Sequence, residues 1–267
     1  MSFEFDGEKY KKASSHQKEW ANKILGEFNL NGNESILDLG CGDGTITNQL
    51  AEMVPQGNVV GIDASEGMIK TALDGKKHQN IIFARIDIDE IKYIDEFDLI
   101  FSNATLHWVK DHKKLLKNVF KALKCNGTIR FNFAADGNCS YFYQVIKQAM
   151  TEEKYSNYFK EFTWPWFMPT IEAYQHLAQE SDLSKIEVWG ENADRNFENS
   201  DVMIKWIDQP SIVPFLKCIP EAEKNNFRNY VVERMIEKTK NEDGTCFETF
   251  RRVNIRAIKL QKNKEIS

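Results

Sequence analysis

The sequence predicts an α/β fold, a mostly parallel sheet covered by helices on both faces, with an extra layer added in its second half. Three observations predict it. Through the first half, short runs that are apolar at nearly every position alternate with stretches of helical periodicity, as doubly covered strands and their crossover helices require. A dense glycine turn separates the first of these runs from the first helical stretch. After Phe133 the alternation stops, and aromatic residues crowd into the stretch from Tyr155 to Phe167.

Taken in order, strands are expected over Ser35–Leu39, Val59–Asp63, Ile81–Arg85, Phe97–Ser102 and Thr128–Phe133. Helices are expected between them near Thr45–Met53, Ser65–Leu73 and His112–Leu123, the last stopped by Cys125-Asn126-Gly127. Further on come helices near Cys139–Met150 and Ile171–Gln179, a strand Lys185–Trp189, helices near Asp201–Asp208 and Glu221–Thr239, and one long strand Cys246–Ile258 after the turn Asn241-Glu242-Asp243-Gly244. The expected organisation is a core with an N-terminal cover over 1–135, a helical and aromatic cap over 136–184, and elements over 185–267 that complete the same domain.

With 267 residues, 42% hydrophobic and 28% charged, the chain can bury one large core and an added part. Forty acids against 35 bases give a net charge of −5 and no broad positive field, so nucleic acid is not an expected partner. The five cysteines are scattered without a C-x-x-C pair, which argues against both a disulfide framework and a zinc site. The N-terminus is acidic with no apolar signal core, and no run approaches the roughly 18 apolar residues of a membrane span. The expectation is a cytoplasmic protein without a membrane partner, of undetermined oligomeric state.

The residues with the clearest chemistry are Asp38-Leu39-Gly40-Cys41-Gly42-Asp43-Gly44, at the junction of the first strand and first helix. Closely spaced glycines allow positive φ and close approach of the backbone to a ligand, and the helix start offers free N–H groups. A dinucleotide fingerprint needs G-x-G-x-x-G, but the sixth position from Gly40 is Thr45. The G-x-G-x-G spacing favours S-adenosylmethionine (SAM) over a nicotinamide dinucleotide. Asp63, closing the second strand, can accept hydrogen bonds from ribose hydroxyls, and Asp87, after the third, from an adenine amine. Either acid alone is more often a strand-end or cap residue; at successive strand ends they outline one nucleoside pocket.

These motifs resemble the class I SAM-dependent methyltransferases, and within them the group containing trans-aconitate methyltransferase and the juvenile hormone acid methyltransferases. The matching segments run from Tyr10 to Gln17, Ile36 to Gly44, Val60 to Met68, Phe97 to Val109, Pro214 to Ala222 and Phe250 to Ala257. The resemblance implies a Rossmann-like seven-stranded sheet of order 3-2-1-4-5-7-6 with an inserted helical cap, SAM as cofactor, and a small carboxylic acid as methyl acceptor. It implies that Asp38, Gly40, Gly42 and Gly44 cradle the methionine end, with Asn103 near the ammonium. Asp63 and Ala64 would lie at the ribose, Asp87, Ile88 and Met68 at the adenine, and Tyr10 and Gln17 in a cover over the cofactor. It also places Arg252, rather than its neighbour Arg251 on the opposite strand face, toward an acceptor carboxylate.

His107 and Trp108 directly follow the fourth strand, where open α/β sheets place ligands, and are the candidate catalytic and acceptor-binding residues, with Trp164 or Trp166 of the aromatic stretch as further walls. His107 and His112 lie five apart, off the i, i+4 spacing of zinc-binding histidines, and no metal is expected. A carboxylate is already ionised at neutral pH and needs no general base, in keeping with the absence of a base dyad. Ser102-Asn103-Ala104-Thr105 stands where an N-P-P-Y motif would signal adenine or glutamine methylation. Malonyl-acyl-carrier-protein methylation, an oxidoreductase and a non-catalytic SAM-binding module are the competing readings.

Overall fold

A computed structural model describes residues 15–261 together with Glu4 and Gly7. Its first half contains α1 (Ser15–Leu25), β1 (Ser35–Leu39), α2 (Thr45–Met53), β2 (Asn58–Asp63), α3 (Glu66–Asp74), β3 (Ile81–Arg85), β4 (Phe97–Asn103), α4 (His112–Ala122) and β5 (Leu123–Ala134). The second half contains α5 (Ser140–Thr151), α6 (Ile171–Gln179), β6 (Ser184–Asn192), β7 (Arg195–Phe197), α7 (Ser200–Trp206), α8 (Val213–Leu216), α9 (Glu221–Thr239), β8 (Cys246–Glu248) and β9 (Arg251–Ile258).

Seven strands form one sheet in the order β3-β2-β1-β4-β5-β9-β6. The first five run parallel, and β9 pairs antiparallel with both β5 and β6. This is the expected order, β6 and β9 being its sixth and seventh strands. Alternation along β1 sends Ile36 into a cluster with Ile24, Leu50 and Phe101, and Leu37 and Leu39 into the opposite cluster with Leu115, Leu116 and Val119 of α4. Helices therefore seal both faces, and the carboxyl ends of β1, β2 and β4 open at a common edge. A third cluster, containing Phe142, Phe159, Trp206, Phe215, Phe227 and Phe250, forms the added layer over that edge.

Three expected elements are corrected. Strand β5 starts at Leu123, not Thr128, and Cys125-Asn126-Gly127 is an irregularity within it rather than a helix stop. Asn126 takes φ 65°, and its N–H reaches Lys259 O at 2.7 Å. The expected strand Cys246–Ile258 is two strands. Between them the Glu248 carboxylate accepts from the N–H groups of Tyr141 and Phe142 at 3.2 and 2.8 Å, and Thr249 Oγ1 accepts from Ser140 N at 2.9 Å. Capping the start of α5 this way draws β8 out of the main sheet to pair with β7. The helix expected over Asp201–Asp208 ends as α7 at Trp206 and passes into a single wide turn, Ile207–Ser211, with Gln209 extended.

Candidate active site

At the end of β1 the chain turns through Gly40, Gly42 and Gly44, all with positive φ between 54° and 74°. The turn is pinned from behind, since Gly40 N and Cys41 N donate to Ile62 O at 2.8 and 2.9 Å. A side chain at Gly40 would run into Thr105, whose hydroxyl donates to Gly40 O at 3.2 Å, so β1 and the segment after β4 touch through that glycine. Gly44 meets a different constraint. A Cβ there would sit 2.7 Å from Phe83 Cζ and 2.9 Å from Ala72 Cβ, so its smallness lets α2 pack against α3 and β3.

Asp63 stands across from this turn, with one carboxylate oxygen accepting from Gly42 N at 3.1 Å and the other from Ser65 N at 2.9 Å. Burial raises its pKa, and the two backbone donors oppose the shift. Two bonds leave lone pairs on the carboxylate for further donors. Asp87 caps the short turn Ile88–Glu90 by accepting from Asp89 N at 3.1 Å. Beside it Asp89, with Oδ1 buried and unpartnered among the described residues, faces the same cavity; burial and the neighbouring Asp87 raise its pKa.

Those acids line one end of a cavity of about 440 Å³, with Gly40, Gly42, Ala64, Met68 and Ile88 among their neighbours. That size falls within the roughly 300–1,000 Å³ of small-molecule sites. A recess of about 50 Å³ opens beside it, lined by Gln17, Lys18, Asp38, Asp43 and Asn103. Burial raises the Asp38 pKa to about 7, against the hydrogen bond from Thr47 Oγ1 at 2.7 Å, with a further push from Asp63. Gln17 Oε1 and Asn103 Oδ1 are buried there without a partner among the described residues, although Asn103 Nδ2 donates to Gln17 O at 2.9 Å. Unpaired acceptors beside carboxylates and a lysine suit a zwitterionic amino-acid end. The positive-φ glycine turn and the Asp63 lip suit the nucleoside of the same ligand.

The other end of the cavity is aromatic. The turn Leu106–Trp108 after β4 brings in His107 and Trp108, and the stretch 163–168 crosses above it. Phe167 N donates to His107 O at 2.7 Å, and Lys110 Nζ donates to the carbonyls of Trp164 and Trp166. Trp166 meets Trp108 edge-on at 5.5 Å, and Trp164 stacks on Tyr143 at 5.2 Å. Burial, with Arg252 and His112 adding to it, lowers the His107 pKa to about 3, so its imidazole is neutral at physiological pH. Its Nδ1 has no partner among the described residues. Arg252, only 3% exposed, reaches this end from β9, its guanidinium 4.4 Å over the Trp20 ring.

The structure thus brings Gln17, Gly40, Gly42, Asp63, Ala64, Met68, Asp87, Ile88, His107, Trp108, Trp164, Trp166 and Arg252 to one cavity, and Asp38 and Asn103 to the recess beside it. Gly44 lines neither, and Tyr10 lies outside the described residues. Arg251 turns the opposite way, to an ion pair with Asp194. Sequence reasoning missed Trp20, Lys110, Phe142, Tyr143, Trp206 and Phe250 as site residues, although they also line the cavity. His112 is structural, bonded to Tyr174 Oη and Leu106 O at 3.0 Å each, and burial lowers its pKa to about 4. No three His, Cys, Asp or Glu residues among those described are grouped to hold a metal ion. No described helix is long and apolar enough to cross a membrane.

The fold and the cavity define an open α/β protein with a cavity at its strand ends, lined by the glycine turn and carboxylates at one end and by aromatic residues at the other. A family model described as a methyltransferase domain matches residues 30–199. An uncharacterized methyltransferase of Schizosaccharomyces pombe is 30% identical over 257 residues, covering 94% of this chain and 96% of that protein. Trans-aconitate 2-methyltransferase of an Enterobacter species is 26% identical over 218 residues, covering 82% and 83%. Malonyl-[acyl-carrier protein] O-methyltransferase of Bacillus anthracis is 29% identical over 152 residues, and this match spans only 55% of the chain and 56% of that relative. Among solved structures, the YcgJ protein of Bacillus subtilis shares the fold, with a TM-score of 0.61 at 15% identity over 92% of this chain and 99% of that one. The chain belongs to the class I methyltransferases, enzymes that use S-adenosylmethionine as methyl donor.

Proposed function

We propose that the protein methylates a carboxylate oxygen of a small organic acid, with the acid held in the aromatic end of the cavity. The observation that carries this reading is Arg252, a buried guanidinium lining the same cavity as Gly40 and Asp63. A planar fork of N–H donors in an apolar surround recognises a carboxylate well. The trans-aconitate enzyme among the relatives is named for an acid acceptor, which supports the reading.

SAM, when bound, supplies an electrophilic methyl group on a sulfonium that leaves as a neutral thioether. Gly40, Gly42 and Asp63 would hold its nucleoside part, with Asp87 and Ile88 at the base and Asp38 and Asn103 at the amino-acid end. A carboxylate acceptor would already be ionised at neutral pH, so no proton would have to be removed from it. The residues therefore have to position, desolvate and orient rather than abstract. Neutral His107 can donate or accept one hydrogen bond without adding charge, and Trp108 and Trp166 exclude water.

The lining favours an acid with one carboxylate and an apolar body over a polycarboxylate. Among the described residues its wall is mostly aromatic and apolar, with Trp20, Trp108, Phe142, Trp164, Trp166, Trp206 and Phe250 around the Arg252 guanidinium, which suits an apolar acid body. The five cysteines all stand as free thiols, in keeping with a cytoplasmic setting. The test is transfer of labelled methyl from SAM to a panel of aliphatic and aromatic monocarboxylic acids, trans-aconitate and a malonyl thioester. Label on the monocarboxylic acids at the lowest KM is expected; label on none of the acids, with alcohols or amines methylated instead, overturns the reading.

A further inference from the structure

We infer that Asn132 and Asn254, which do not line the cavity, are positioning residues that aim Arg252 into it, and that their own orientation is set by an ion pair at Glu27. The inference rests on the proposal that the cavity holds an acceptor carboxylate. Asn132 on β5 and Asn254 on β9 are directly paired in the sheet. With Arg130 two residues before Asn132 and Arg252 two before Asn254, they occupy one face of the two strands. All four are nearly inaccessible, Arg130 and Arg252 at 3%, Asn132 at 2% and Asn254 at 0%.

The hydrogen bonds among them form one chain from Glu27 to Arg252, with two donors meeting at Asn254 Oδ1. Glu27, just past α1, takes a two-pronged bond from Arg130 at 2.9 and 3.0 Å. That seats the guanidinium so that its remaining nitrogen donates to Asn254 Oδ1 at 3.0 Å. Asn132 Nδ2 donates to the same oxygen at 2.8 Å, filling both of its lone pairs. With its nitrogen committed, Asn132 presents Oδ1 to Arg252 and accepts from Nε at 2.9 Å and Nη2 at 2.6 Å. Reversing either amide would set N–H groups against a guanidinium, so the arginine at one end dictates the amide orientation at the other. Arg252 carries a long side chain with many rotamers, and fixing it before the acceptor arrives removes that ordering cost from binding.

The test is a set of variants assayed for SAM affinity by calorimetry and for acceptor KM and kcat at saturating SAM. Arg252→Gln tests the underlying reading: an unchanged acceptor KM shows that the acceptor is not held by Arg252, and the proposed function fails there. If Arg252→Gln raises the KM, the relay is tested by Asn254→Leu, which removes the oxygen that orients Asn132. It should raise acceptor KM about tenfold with SAM affinity within twofold of the parent, the scale of one lost bond to a charged group. Asn254→Asp keeps that oxygen as acceptor for both donors and should restore the parent KM, which a merely structural role would not require. Glu27→Gln, a milder change outside the buried face, should raise acceptor KM severalfold and carries the test if Asn254→Leu does not fold. An unchanged acceptor KM in Asn254→Leu or Glu27→Gln, or an equal loss of SAM affinity and acceptor affinity, overturns the relay.

Discussion

The two ends of the cavity are built in opposite ways. The end carrying the glycine turn, Asp63 and Asp87 is local: each lies at or just past the carboxyl end of β1, β2 or β3, neighbouring strands of one parallel sheet, and their register brings them together. The aromatic end is gathered from Trp20, Trp108, Tyr143, Trp164, Phe250 and Arg252, separated by most of the chain and joined only when the added layer packs. The first end is fixed by backbone geometry and tolerates little change. Side-chain packing shapes the second, which can be altered without disturbing the first. Separability of donor and acceptor binding follows.

The largest break in that comparison should come from the backbone end. Gly40→Ala puts a Cβ into Thr105 at a residue with φ 73°, so the turn must shift. Calorimetry should show SAM affinity falling about a hundredfold or more, roughly 2.7 kcal/mol. Retained affinity would show that the turn does not hold the donor. Asp63→Ala keeps the turn but removes charge-assisted bonds worth roughly 1.5 to 3 kcal/mol each, and SAM affinity should fall at least about tenfold. Acceptor KM at saturating SAM should stay within twofold; a parallel rise would mean the two ends are not separable.

Trp108→Ala sharpens the comparison from the other side. Loss of a large aromatic wall should lower kcat/KM for the acceptor about tenfold, the scale of a partly buried aromatic side chain. SAM affinity should be unchanged within twofold, since Trp108 is outside the glycine turn. An equal fall in SAM affinity would place Trp108 in the donor site.

The same division explains what could be read from the sequence. Strand ends, the glycine turn and the acids at 63 and 87 were legible because each depends on residues within a few positions. Trp20, Tyr143 and Phe250 were not, because an aromatic side chain shows no sign of whether it meets core or cavity until the layers are stacked. The break in Cys246–Ile258 was hidden for a related reason: its apolar alternation reads as one strand, and the cause of the break, Glu248 capping α5, lies more than a hundred residues away in sequence. Gly44 belongs to the same motif but lines neither the cavity nor the recess, and a Cβ there would meet Phe83 and Ala72, a packing constraint the motif alone does not reveal.

Smaller effects should appear with pH. Burial puts the Asp38 pKa near 7, above the ordinary carboxyl value, so in the free protein it is increasingly protonated as pH falls through neutrality. If Asp38 faces the methionine ammonium, SAM affinity should weaken by up to about tenfold from pH 8 to pH 6. A pH-independent affinity would remove Asp38 from that contact. At saturating SAM and acceptor the turnover should instead be flat over this range, because the His107 pKa is lowered to about 3 and its charge does not change there. An acceptor carboxylate is likewise ionised throughout. A rise of kcat with pH would point to a base being freed for an alcohol or amine acceptor.

The nature of the bond made to the methyl group tests the central claim most directly. After labelled methyl transfer to the preferred acceptor, brief mild alkali should release the label as methanol, as a carboxylic ester requires. Label that stays on the product under the same treatment would contradict carboxyl methylation.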